Sequence, residues 1–238
     1  MLDETIPSAT TILSDHNIPY AYWYEHALHY YGSKTVVFSI HLLVKSARDA
    51  EACLRNAGWQ AAAVPQYAPQ YYDPAIDKQV VLDYPGAEET TVVLLSVYTW
   101  PGITLSVEAD SHYPTLPEMY NALAQRFLDT DCLAFRQYLN IQLGYLYEDC
   151  VDLASSDFLA RLPTDIQQFH LDWRSGTLWM DTTMTLEHER RIRERVRRGD
   201  WQLMPQGSAA LGGSKADRDF EARLSAEANK ANEWRASS

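Results

Sequence analysis

The ten residues Thr35 to Val44 (TVVFSIHLLV) constrain this chain most. Apolar and β-branched side chains at that density read as a buried strand, and the residues on either side punctuate it. Gly32 closes a short helix predicted over Glu25 to Tyr31. Ser46 opens another helix, whose Ala47, Ala50, Leu54 and Ala57 share one face before Gly58 ends it. Upstream, Ser8 can cap a helix through Asn17 that Ile18 and Pro19 break, and the aromatic run Tyr20 to Tyr24 reads as a further β segment. This order of helix, turn, strand and helix begins an α+β fold.

Strands are predicted next over Trp59 to Val64, Gln79 to Tyr84 and Thr91 to Tyr98, the last nearly continuous in apolar residues and so central in a sheet. Between the first two, VPQYAPQYYDPAID is too apolar for a plain linker and reads as a lid or pocket wall. After Pro114 the period becomes helical. Pro117 stands at a first helical position ahead of a Met119, Leu123, Phe127 stripe, and Leu133 to Glu148 carries a Phe135, Leu139, Leu143, Leu146 stripe. A short helix follows Ser155, then FHLDW (169–173) and a turn at Ser175 and Gly176; Glu187 to Arg198 is a charged helix. The division expected from these patterns is an α/β core over 1–115, a helical region packed on it over 116–205 and a flexible polar tail over 206–238.

With 46% hydrophobic and 22% charged residues in 238, the chain has the composition of a globular protein. It contains no apolar run of membrane-spanning length, and Met1 to Glu4 lack a signal peptide's basic start. Three cysteines (Cys53, Cys132, Cys150) without a paired spacing suit a reducing compartment, so the cytoplasm is expected. A net charge of −12 argues against a nucleic-acid partner. Of the six Arg between Glu187 and Gly199, Arg191, Arg193 and Arg198 stand at helical distances from Glu187, Glu189 and Glu194, which reads as a mostly solvated, internally paired face. Tyr and Trp (15 and 7) outnumber Phe (6), so most aromatic surface carries a polar tip suited to pocket walls.

The stretches IPYAYWYEHALHYYGSKTVVFSIHLLV (18–44), AEACLRNAGW (50–59), VVLLSVYTW (92–100), YLYEDC (145–150), FHLDWRSG (169–176) and HERRIRERVRRGDW (188–201) resemble fungal nucleotidyltransferase-like proteins. The resemblance runs from about Thr11 to Trp201. It implies a nucleotidyltransferase-like mixed sheet flanked by helices, with a helical region after it. It also implies that a Gly-Ser turn, here Gly32 and Ser33, precedes a strand with two carboxylates at alternate positions, where they hold Mg²⁺ against a nucleoside triphosphate. Ser39 and His41 occupy those positions. A hydroxyl is a weak Mg²⁺ ligand and an imidazole prefers softer metals, so nucleotidyl transfer is not expected unless Asp83, Glu108 or Asp110 compensates.

Other chemistry-bearing residues are few. His41 is the first candidate base, with Ser39 beside it, and His170 with Asp172 forms a possible base and orienter if the two share a strand face. His26 and His29 have a metal-capable spacing without an obvious third ligand. No phosphate loop, dinucleotide fingerprint or hydrolase elbow is present. The function expected is binding of an apolar small molecule in an aromatic cleft lined by Tyr22, Tyr24, Tyr67, Tyr71, Tyr72 and Trp100. Positioning there would let a cyclase or pericyclase of secondary metabolism work without cofactor or metal. The alternatives are a non-catalytic interaction scaffold and a retained Mg²⁺-dependent nucleotidyltransferase.

Overall fold

A computed structural model describes residues 8–64, 68–84, 91–106, 111–176 and 183–208. The chain divides into two compact units, Met1–Arg161 and Leu162–Ser238.

The first unit is α+β. Helix α1 (Ala9–Asp15) starts at Ser8, whose side chain accepts the Thr11 N–H. Strand β1 (Tyr20–Tyr22) follows, then α2 (Glu25–Tyr30), β2 (Ile40–Val44), α3 (Ala47–Asn56) and β3 (Gln60–Ala62). Two 3₁₀ turns (Pro69–Tyr72 and Ile76–Lys78) lead into β4 (Val80–Asp83) and β5 (Val92–Ser96). Helices α4 (Leu116–Asp129), α5 (Leu133–Asp149) and α6 (Ser156–Arg161) complete the unit, so α4 and α5 belong with the sheet. No helix among the described residues is long and apolar enough to cross a membrane.

The strands form one mixed sheet in the order β1-β2-β5-β4-β3, with β2 and β5 parallel and the other pairs antiparallel. Alternation along the strands assigns its two faces. Leu42, Val44, Leu82, Val92 and Leu94 share a core with Ile12 and Leu13 of α1 and with Ala50 and Leu54 of α3. Burying each of these large aliphatic side chains is worth roughly 1.5–3 kcal/mol. On the opposite parity, register aligns His41 with Val93 and Val93 with Val81 across three strands. A buried imidazole is thereby set in an otherwise aliphatic row.

Strand β2 is shorter than the ten residues predicted. The Gly32 N–H donates to His29 O and the Ser33 N–H to Leu28 O, both at 3.0 Å, which closes α2 with Gly32 at φ +98°. The Gly-Ser turn is therefore a helix stop. Residues 33–38 then run without ladder partners until Ile40 pairs with Val92, and Val36 and Phe38 stand 62% and 80% exposed.

The described part of the second unit holds α7 (Thr164–Arg174) and α8 (Thr183–Arg197), which pack against each other. FHLDW lies in the last turns of α7, so His170 and Asp172, two apart on a helix, point to different sides and share no strand face. Helix α8 is also less solvated than expected. Arg190 pairs with Glu187 and Arg197 with Glu194, but Glu189 and Arg193 are buried with Leu186 and Ile192. Tyr67, Glu108 and Asp110, and the tail from residue 209 on, lie outside the described residues.

Candidate functional site

The aliphatic row of the sheet forms the floor of a cleft of about 550 Å³ in the first unit. That is the size of small-molecule pockets. His41, Val93 and Val81 come from the sheet, Val36, Phe38 and Ser39 from the unpaired stretch before β2, and Tyr138, Ile141, Gln142 and Tyr145 from α5. The α5 residues recur at helical spacing on a face beside the buried Phe135, Leu139, Leu143 and Leu146 stripe.

Among the described residues, one carboxylate reaches this cleft, Glu25 at the first position of α2. It is placed there by Tyr24, which turns the chain from β1 into α2 at φ +48°, ψ −123°. A non-glycine residue pays about 1–3 kcal/mol for such a conformation. The fully buried Tyr24 ring offsets that cost, meeting His41, Trp100 and Tyr138 edge-on at centroid distances of 5.1, 5.5 and 4.9 Å.

Glu25 and His41 form a buried pair, with Oε2 of Glu25 3.4 Å from Nδ1 of His41. The contact is at ion-pair distance without the alignment of a hydrogen bond. On its other side Glu25 Oε1 accepts from the Tyr138 hydroxyl at 3.0 Å and from Gln142 Nε2 at 3.4 Å. Burial, the largest influence, pushes the Glu25 carboxyl up. The contact and charge of His41, together with donors that include Tyr138, outweigh it and hold the carboxyl below its ordinary value. Tyr138 is pushed well above the usual phenol range by burial and then by the Glu25 charge, so it stays a donor. Glu25 lies on the Nδ1 side of the His41 ring, and Nε2 is buried without a hydrogen-bond partner among the described residues.

The sequence-predicted residues divide sharply. Ser39 and His41 line the cleft together. Tyr24 and Trp100 do not line it; at 0% and 1% exposure they belong to the packing beneath His41. Tyr22 stacks on Tyr113 away from the lining, and Tyr71 and Tyr72 pack on each other, also outside it. His170 is buried on α7 in the second unit. Asp83 is exposed at the end of β4 and is not among the lining residues. His26 packs on Tyr22, while His29 Nε2 contacts the Thr35 carbonyl oxygen. Neither falls in a metal-capable group among the described residues.

Glu25, Tyr138 and Gln142 were missed by sequence reasoning. The one sequence signal for Tyr138 and Gln142 is that Tyr138, Ile141, Gln142 and Tyr145 repeat at i, i+3, i+4 and i+7, whereas Glu25 has none. The second unit carries a shallower groove of about 380 Å³ lined by Arg190, Arg191, Glu194, Arg195 and Arg198. Arg195 lies over the Trp201 ring, and Arg197 is bound by Asp165 as well as Glu194. The chain matches no family model, and no curated protein matches it.

Proposed function

We propose that the chain is a nucleotidyltransferase-like protein whose cleft has been turned to an apolar small molecule, on which Glu25 and His41 act without a cofactor. The observation that carries this reading is the buried Glu25–His41 pair, held by Tyr138 and Gln142 on the floor of an aliphatic and aromatic cleft. The mixed sheet, with a Gly-closed helix before the strand that carries His41, supports the family part of the reading.

The cleft would fold a flexible polyene or polyketide-like chain against Val81, Val93, Phe38 and Tyr145, bringing its reacting carbons together. Where the substrate bears an acidic C–H, His41 takes the proton. The released electron pair attacks an electron-poor C=C of the same molecule, whose π electrons move to the neighbouring carbon, and the imidazolium, stabilised by Glu25, returns the proton to that carbon. The sequence is redox-neutral and isomerises its substrate. Where no proton moves, positioning alone lowers the barrier.

The test is to incubate the purified chain with polyene and polyketide intermediates and compare product distributions with and without protein. A new cyclic isomer is expected, and His41→Ala should slow its formation by about 10²–10⁴-fold if general base catalysis operates. An unchanged distribution across such a panel would sink the reading. Stabilisation by Mg·ATP, with apolar ligands silent, would favour a nucleotide site instead. A non-catalytic scaffold has one observation in its favour: Val36, Phe38 and Ile141 at the cleft are 62%, 80% and 54% exposed, so the cleft can accept an apolar side chain of a protein.

A further inference from the structure

The second unit sets two buried carboxyl groups beside a half-buried imidazole. Asp172 comes from the last turn of α7, and His188 and Glu189 are consecutive on α8. One potential ligand atom from each lies within 4.8 Å of the other two. In a four-coordinate shell with bonds of about 2.0–2.2 Å the ligand atoms stand about 3.3–3.6 Å apart, so side-chain rotation would have to close the set by up to about 1.5 Å.

Asp172 and His188 are held from outside. Asp172 Oδ1 accepts from Gln168 Nε2 at 2.8 Å and from the Ser208 N–H at 2.6 Å, and Oδ2 accepts from the Ser208 hydroxyl at 2.6 Å. Ser208 Oγ is also 2.7 Å from His188 Nε2. Gln168 is fixed in turn, its Oε1 accepting from the Met204 N–H and from Trp201 Nε1. Such outer contacts orient ligands at metal centres.

A second observation concerns Glu189, which is 2% exposed and whose Oε1 has no hydrogen-bond partner among the described residues. Two carboxyls buried together need either a shared proton or a cation between them. A proton on Glu189 can satisfy a contact to Asp172 but leaves Oε1 orphaned. A cation meets both carboxyls and the imidazole at once.

We infer that Asp172, His188 and Glu189 bind one divalent transition-metal ion that clamps α7 to α8. Two carboxylate oxygens and one imidazole nitrogen suit Zn²⁺ better than Mg²⁺ or Ca²⁺, which take all-oxygen shells, and a water molecule would complete four-coordination.

The full chain, stripped with chelator and dialysed against ZnCl₂, should retain one Zn²⁺ per molecule and melt at a higher temperature than the stripped form, with MgCl₂ giving no rise. CoCl₂ in place of Zn²⁺ should give the intense visible absorption of a four-coordinate site without thiolate bands. Glu189→Gln keeps the side chain's shape but removes a ligand charge, and it should lose the stoichiometric ion, as should His188→Asn. His41→Ala should retain it, separating this site from the cleft. Absence of stoichiometric Zn²⁺ in the wild-type chain, or unchanged Zn²⁺ affinity in Glu189→Gln, would overturn the assignment. If both variants fail to fold, the wild-type Co²⁺ spectrum decides, and a weak, six-coordinate spectrum counts against the site.

Discussion

Glu25 depends on three contacts drawn from two elements, β2 and α5, and its titration exposes that dependence. Its carboxyl is held below the ordinary value of 4.5 in the folded chain, so the unfolded chain binds the proton more tightly. The resulting stability is present above about pH 4.5 and is lost as pH falls through the lowered folded value. Urea titrations should therefore show the wild-type midpoint falling more steeply below pH 4.5 than that of Glu25→Gln, which has no such proton to bind. Tyr138 acts on this pair as a positioning residue. Tyr138→Phe removes the 3.0 Å donor and lets the Glu25 carboxyl rise towards its ordinary value, so the fall of the urea midpoint below pH 4.5 should become shallower than in the wild type. A midpoint lowered equally at every pH would argue for a packing role alone.

Local signals recovered the elements better than they recovered the cleft. Thr115 caps α4 in a reciprocal box with Glu118, whose Oε2 accepts from both the Thr115 N–H and its hydroxyl. Thr115→Ala should cost about 0.5–2 kcal/mol in chemical denaturation. Helix α4 could be read from Pro117 and its apolar stripe, and α3 from Ser46 and Gly58, because capping and periodicity are written in neighbouring residues. The cleft face of α5 could not. Tyr138, Gln142 and Tyr145 look like a wet helix face until the sheet supplies Glu25 and His41 opposite them. Strand β2 was overextended because Val36 and Phe38 have strand-forming side chains, whereas a strand also needs a ladder partner, and that begins only at Val92. Tyr24 and Trp100 were misplaced for a related reason, since an aromatic ring gives no local sign of whether it walls a pocket or fills the packing behind it. Arg126 offers a check on the segment that carries the two 3₁₀ turns. It holds the buried Asp73 carboxyl at 2.5 Å, and Arg126→Met should destabilise the chain by about 3–5 kcal/mol by leaving that group without its cation.

All of the lining residues of the cleft belong to the first unit, as do the helices that cover both faces of its sheet. A fragment ending at Arg161 is therefore expected to bind the apolar ligand as tightly as the full chain, read by fluorescence titration, and weaker binding would mean that the site needs residues beyond that boundary. The unpaired stretch before β2 also gives ligand binding a calorimetric signature. Phe38 and Val36 hold most of their apolar surface in water at the cleft, where a ligand would cover it. Covering such surface releases ordered water and lowers the heat capacity, so the binding enthalpy should grow more negative on warming while entropy carries more of the affinity in the cold.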